Sequence, residues 1–276
     1  MINKQHLFVP CLALLALSGC GQQPAGPAAS TVDKIRSSHV LHASYITYPP
    51  FVIKDPNTGN LSGFFIDLMA DIASYGDFKV TYEEAKWGTM VASLESGRTD
   101  LVVSGIFPTI PRSFSVAFAD PIMFVGLSGT VPKDDKKPWT EERLRTPGLR
   151  VAVVSGEVGH EYVRRALPQA KVTVLDTADI TRASAEVAFG RADIALSESI
   201  ACTEFASQNP TVKTVFVDQP LQVFGTTFML RKGDPDWRNF LNTAIQVLEA
   251  SGNIRKLEAK YKTRPDMWRS RAQPWQ

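Results

Sequence analysis

Residues 63–76 read GFFIDLMADIASYG. Phe65, Leu68, Ile72 and Tyr75 recur at the 3.6-residue period and Gly76 supplies a stop, so the stretch predicts an amphipathic helix. Strand-like runs flank it, HVLHASYI (39–46) before and KVTYEEA (79–85) after. A short helix is expected from Trp87 through Leu94, ending at Gly97, and DLVVSG (100–105) reads as a third strand. Such alternation favours a largely parallel sheet covered by helices.

The pattern restarts at RVAVVSG (150–156), after the hydrophilic loop KDDKKPWTEERLRTPG (133–148). The helix HEYVRRAL, the strand KVTVLD, a helix near 178–189, the strand ADIALSE, the helix SIACTEFASQ and the strand TVKTVFVD follow. VFGTTFMLRKG (223–233) is one more strand, and DWRNFLNTAIQVLEASG and NIRKLEAKYK are helices. Two α/β units with a strand and two helices left over imply a chain that leaves its first lobe and later returns to complete it. The expected fold class is α/β with two lobes and two hinge strands. Residues 36–122 would begin lobe 1, 126–220 would form lobe 2, and 225–276 would complete lobe 1 with the C-terminal helices. A cleft between two such lobes is a common place for a small ligand.

At 276 residues and 44% hydrophobic, the chain has room for about two domains. A net charge of +2 without a dense basic block gives nucleic-acid binding no electrostatic support. The nearest basic stretch, KYKTRPDMWRSR (260–271), is expected to be a solvated tail. The start, MINKQHLFVPCLALLALSGC, has a polar end and an apolar run too short to span a bilayer core of ~30 Å. It suits a signal peptide over 1–19. Leu17-Ser18-Gly19-Cys20 resembles a bacterial lipobox, which would place a lipid on the Cys20 thiol and tether the body to a membrane. GQQPAGPAAST follows, and residues 20–35 are expected to be the lipidated Cys and a flexible tether. Cys11 would leave with the signal, so Cys202 has no intramolecular disulfide partner and is expected as a buried structural thiol. Redox and cysteine-protease functions are unsupported. The expected location is the periplasm or cell envelope.

YPPF (48–51), GNLSGFFIDLMADIA (59–73), WGTMVASLESGRTDLVVSG (87–105), TIPR (109–112), VAFADP (116–121), GRADIALSE (190–198) and ASGNIRKLEAKY (250–261) stand in order along the chain. Together they resemble the amino-acid-type periplasmic solute-binding proteins (family 3, type II fold), the receptor components of ABC importers. The resemblance covers roughly residues 36–262. It implies a monomer without cofactor that captures a carboxylate-bearing solute, an amino acid or analogue, between two lobes and presents it to an ABC permease.

The resemblance also implies roles. Arg112 matches the arginine that holds the ligand carboxylate, a task suited to a planar guanidinium; alternatively it is a surface residue or pairs Asp120. Gly105 matches the position whose carbonyl faces the ammonium. Glu198 matches the ammonium-pairing acid, or else caps the helix that follows. Tyr48 and Trp87 match aromatic walls, though either could be core. Phe107 stands where the family has a Ser or Thr, and turns either into the cleft or into the core. In SGEVGHEY (155–162), Glu157 and Val158 replace the usual hydroxyl residues. Val158 would line the pocket, whereas Glu157 faces either solvent or a cationic part of the ligand. His160 is expected to be exposed. An acid common in the first strand–helix turn is replaced by Tyr45. Two other functions fit the same lobes: a dehydratase resembling cyclohexadienyl dehydratase, and a sensor subunit that binds a solute without transport.

Overall fold

The computed structural model describes residues 29–264 and 267–271. The expected signal peptide and Cys20 lie outside the described residues. The chain opens with α1 (Thr31–Ser38), β1 (Val40–Tyr45), the hairpin strands β2 (Ile53–Lys54) and β3 (Leu61–Ser62), and α2 (Phe64–Tyr75). Then come β4 (Lys79–Glu84), α3 (Met90–Glu95), β5 (Leu101–Ile106), α4 (Ile110–Ser113) and β6 (Val116–Phe118). The long β7 (Met123–Pro132) leads to α5 (Glu141–Leu144), β8 (Arg150–Val154), α6 (Val158–Ala166) and β9 (Lys171–Leu175). α7 (Arg182–Ala188), β10 (Ile194–Glu198), α8 (Ser199–Gln208) and β11 (Val212–Val215) follow. The long β12 (Gln222–Arg231), α9 (Pro235–Ala250), α10 (Asn253–Tyr261) and β13 (Arg269–Ser270) end the described chain.

The main sheet runs β4-β1-β5-β12-β7-β10-β8-β9. β4, β1 and β5 are parallel, as are β10, β8 and β9. β7 and β12 pair antiparallel from Met123↔Thr226 to Leu127↔Gln222. Beyond that ladder they part. β12 runs on against β5 through Thr227, Met229 and Leu230, while β7 runs against β10 from Leu127 to Thr130. Each lobe is therefore a parallel trio closed by the far half of a hinge strand, and both hinge crossings are backbone ladders rather than free loops.

Helix α2 covers the first trio with Phe65, Leu68 and Ile72, all essentially buried. Tyr75, at the helix's last residue, is 73% exposed, so the buried face stops at Ala73. α3 begins at Met90 rather than Trp87, leaving the indole on the loop before it.

Two further expectations are corrected. Residues 31–35, assigned to the tether, belong to α1. The Ser30 hydroxyl accepts the Asp33 N–H at 3.1 Å as its N-cap, Ile35 is buried, and the Thr31 N–H donates to Asp234 Oδ2 at 2.8 Å. Nor are the described residues of the tail 260–271 solvated throughout: Tyr261, Met267 and Trp268 are buried. Trp268 is 2% exposed, lies 5.7 Å from the Phe51 ring, and donates through Nε1 to Glu258 at 3.0 Å. Just after it, β13 pairs with the first residues of β7. Burial of one indole fastens a segment whose charges alone suggest solvent.

Candidate ligand-binding site between the lobes

On lobe 1, β5 delivers the chain to the cleft. Gly105 takes φ +68°, and a Cβ there would meet the Phe65 ring at 2.5 Å, so the turn out of the strand needs glycine. Two residues later the Phe107 ring packs 5.2 Å from Phe224 of the hinge strand and is 1% exposed. Its burial is thus against the hinge. The Thr109 hydroxyl accepts the Arg112 N–H at 3.3 Å, and Pro111 sits in the first turn of α4. This capped turn aims Arg112 across the cleft. Nη1 donates to the Phe107 carbonyl at 3.0 Å, and Nη2 donates to the Gly156 carbonyl of lobe 2. Asp120 instead accepts Asn242 Nδ2 at 3.0 Å. Burial lowers the Arg112 pKa, while Glu161 and Glu157 act in the opposite sense.

The aromatic residues also reach the opposite lobe. Tyr48 is buried, with its ring edge-on to Phe51 at 5.2 Å and to Trp87 at 6.2 Å. Its hydroxyl donates to Glu198 Oε2. Trp87 donates through Nε1 to the Ala178 carbonyl at 3.2 Å. Tyr45, in place of the family's acid, lies with its hydroxyl 3.4 Å from Glu84 Oε2.

Lobe 2 contributes two carboxylates. Glu157 is the N-cap of α6, with Oε2 accepting the Gly159 N–H at 2.7 Å and Oε1 accepting the Ser197 hydroxyl at 3.4 Å. The helix start presses so closely on β10 that a Cβ on Gly159 would lie 2.0 Å from the Leu196 carbonyl oxygen. That approach buries Glu157 to 1% exposure. Burial pushes its pKa up to about 7, partly opposed by the N–H groups of Gly159 and Glu198, the Ser197 hydroxyl and the Arg112 charge. Glu198, at the end of β10, is equally buried and makes no side-chain cap of α8. Its Oε1 has no hydrogen-bond partner among the described residues. Burial raises its pKa well above the usual range; the Tyr48 bond opposes the rise and the Glu157 charge adds to it.

Tyr48, Trp87, Arg112 and Glu198 thus each reach the opposite lobe, with Gly105 and Phe107 at the root of the Arg112 loop. Val158 is buried beside a separate inter-lobe groove of about 400 Å³ shared with Pro108, Ile110, Tyr162 and Phe224. His160 is half-buried, not exposed, because its Nδ1 accepts the Gly156 N–H at 3.2 Å. Cys202 is buried, its thiol pushed up to about 12 chiefly by burial. The residue that sequence reasoning left unplaced is Glu157. Its signal was an acid in a turn expected to carry hydroxyls.

A family model described as bacterial extracellular solute-binding proteins, family 3, matches residues 41–264. The chain is 30% identical over 265 residues to a "Probable histidine-binding protein" of Neisseria gonorrhoeae, covering 94% of this chain and 96% of that one. Among solved structures, it resembles an ancestral amino-acid-binding protein described as a precursor of cyclohexadienyl dehydratase. That match has TM-score 0.75 and 31% identity, over 84% of this chain and 99% of the other. A variant of the T. maritima protein ArgBP matches with TM-score 0.74 and 30% identity, over 84% and 99% of the two chains. The two-lobed sheet, the residues that meet across its hinge and these likenesses make the chain a member of family 3 of the bacterial extracellular solute-binding proteins.

Proposed function

We propose that the protein captures an amino acid between its lobes and presents it, closed, to the permease of an ABC importer. The observation that carries this reading is the pairing of opposite lobes through ligand-like contacts: the Arg112 guanidinium on a lobe 2 carbonyl, and Glu198 on a lobe 1 hydroxyl. An amino acid would exchange both. Its α-carboxylate takes the Arg112 donors and its α-ammonium takes Glu198, including the unpartnered Oε1. Tyr48 and Trp87 wall the side chain, and the turn at Gly105 and Phe107 sets the Arg112 loop. Each ligand end is thereby held from a different lobe, so binding favours closure. Relatives named for histidine, arginine and cystine binding support an amino acid as the solute.

In this reading lobe 1 comprises about residues 30–122 and 225–271, and lobe 2 residues 126–220. The chain acts as a monomer, tethered in the cell envelope by a lipid on Cys20; membrane fractionation of a Cys20→Ser chain tests the tether. No catalytic step is required. Calorimetry with the twenty amino acids tests the binding reading. At least one should bind, and Arg112→Ala should weaken it by at least about 100-fold. Unchanged affinity in that variant would remove Arg112 from the site.

A further inference from the structure

The charges that meet between the lobes do not balance for a neutral amino acid. Arg112 is the cation facing Glu157, and Glu157 and Glu198 are both essentially buried. A zwitterion brings one negative and one positive group. If its carboxylate matches Arg112 and its ammonium matches Glu198, Glu157 stays behind as a buried anion.

The other groups around Glu157 do not supply the missing charge. On its own helix, Glu161 is 3.8 Å from Arg164, and burial lowers the His160 pKa below its ordinary value. From β10 it meets the Ser197 hydroxyl and Glu198, and from α8 the Cys202 thiol. From lobe 1 it meets Arg112 and the Tyr48 phenol. A buried carboxylate without a charged partner is costly, and it escapes that cost by taking either a proton or a cation. It has capacity for the latter. A carboxylate offers about four acceptor sites, and Glu157 commits three of them, to the Gly159 and Glu198 N–H groups and the Ser197 hydroxyl, none of which carries charge. The other open acceptor of the cluster, Glu198 Oε1, is unpartnered among the described residues and is the one the α-ammonium takes.

We propose that Glu157 is a second cation subsite, so that the favoured ligand carries a positively charged side chain, of guanidinium or alkylammonium chemistry, besides its α-ammonium. This inference rests on the amino-acid reading of the cleft. It also assigns a use to the substitution of an acid for a hydroxyl at the start of α6. The side-chain cation compensates Glu157 where no protein group does.

A neutral ligand of the same shape closes the site only with a proton on Glu157. The sign follows from the raised pKa: the proton is held below about 7 and lost above it. Affinity for a neutral side chain therefore falls as pH rises through that value, whereas affinity for a cationic one holds or rises. The His160 pKa, lowered by burial, keeps that ring uncharged in the upper part of this window.

L-Arginine and L-citrulline form a near-isosteric pair that differs in this charge. Calorimetry on the mature protein at about pH 8 should show arginine binding at least about tenfold tighter than citrulline. Glu157→Gln should strengthen citrulline, weaken arginine and bring the ratio near one, while Glu157→Asp should keep arginine ahead. Should the Gln variant fail to fold, wild-type titrations between about pH 6 and 8.5 decide, through a citrulline affinity that drops and an arginine affinity that does not. Equal affinities in the wild type, a preference that survives Glu157→Gln, or a pH-independent citrulline affinity overturns the assignment. A wild-type protein that binds no amino acid refutes the receptor reading itself. Binding of neutral amino acids with unchanged strength across this pH range refutes only the Glu157 subsite.

Discussion

The two walls of the cleft are built by different means. Lobe 1 offers a cation and rings on loops: Tyr48 on a turn closed by its own N–H to Val52, Trp87 ahead of α3, and Arg112 on a capped turn. Lobe 2 offers two carboxylates held where a helix start meets a strand end. Loop-borne groups can move with little cost to the sheet behind them. Glu157 cannot move without parting α6 from β10, and Glu198 is fixed at its backbone as the last residue of β10. Lobe 1 thus supplies the adaptable recognition, and lobe 2 the fixed charge that a ligand has to match.

Two glycines probe that difference, and the larger effect belongs to lobe 2. An alanine at 159 would put its Cβ 2.0 Å from a backbone oxygen, which no rotamer change relieves. Gly159→Ala should cost at least about 3 kcal/mol of stability. An alanine at 105 meets a side chain rather than backbone, the edge of the buried Phe65 ring at 2.5 Å, and the left-handed backbone adds about 1–2 kcal/mol, so its loss should be smaller than that at 159. Denaturant unfolding of the two variants measures both. Equal losses would show that the α6–β10 approach is no more rigid than the lobe 1 turn.

The same contrast explains what the sequence made legible. The alternation of strands and helices and the return of the chain through a second hinge strand are visible in hydrophobic period and element count. The Arg112 loop is visible too, because Thr109, Pro111 and Arg112 lie within four residues and the cap is local. Glu157 was seen as a departure, but its burial depends on Leu196 and Ser197, some forty residues away, and no local pattern encodes that contact. Trp268 was hidden for a similar reason. Charged neighbours surround it in the sequence, and its partners Phe51 and Phe64 come from the other end of the chain. α1 was masked by the Pro- and Gly-rich run before it, although Ser30 and Asp33 already spelled a helix start.

A second, smaller effect separates the walls by pH. Burial raises the pKa of Glu157 from 4.5 to about 7 and also raises that of Glu198, so the closed, ligand-free protein holds protons that an open or unfolded one releases. That stability is present below about pH 4.5 and is lost as pH climbs through about 7, amounting for Glu157 to about 3 kcal/mol. The lobes can relieve the penalty by parting. Small-angle scattering without ligand should therefore show a larger radius of gyration at about pH 8 than at about pH 5, and no such change in a Glu157→Gln, Glu198→Gln double variant. A radius that is constant in the wild type would mean that water reaches the carboxylates with the lobes closed.

The smallest effect is at Trp87, where lobe 1 touches lobe 2 without using charge. Its Nε1–H reaches the Ala178 carbonyl at 3.2 Å, while its ring stands edge-on to Tyr48. Trp87→Phe keeps an aromatic wall and removes the donor. In the open form water satisfies the Ala178 carbonyl, so the variant loses one net hydrogen bond on closure, about 1 kcal/mol. Because that bond forms only when the lobes meet, the loss falls on the closed state and not on encounter. Stopped-flow binding of L-arginine should show an off-rate raised about fivefold with the on-rate nearly unchanged. A slowed on-rate instead would place Trp87 in the open site's first contact with ligand, and the wall assigned to capture would then also be a wall that selects.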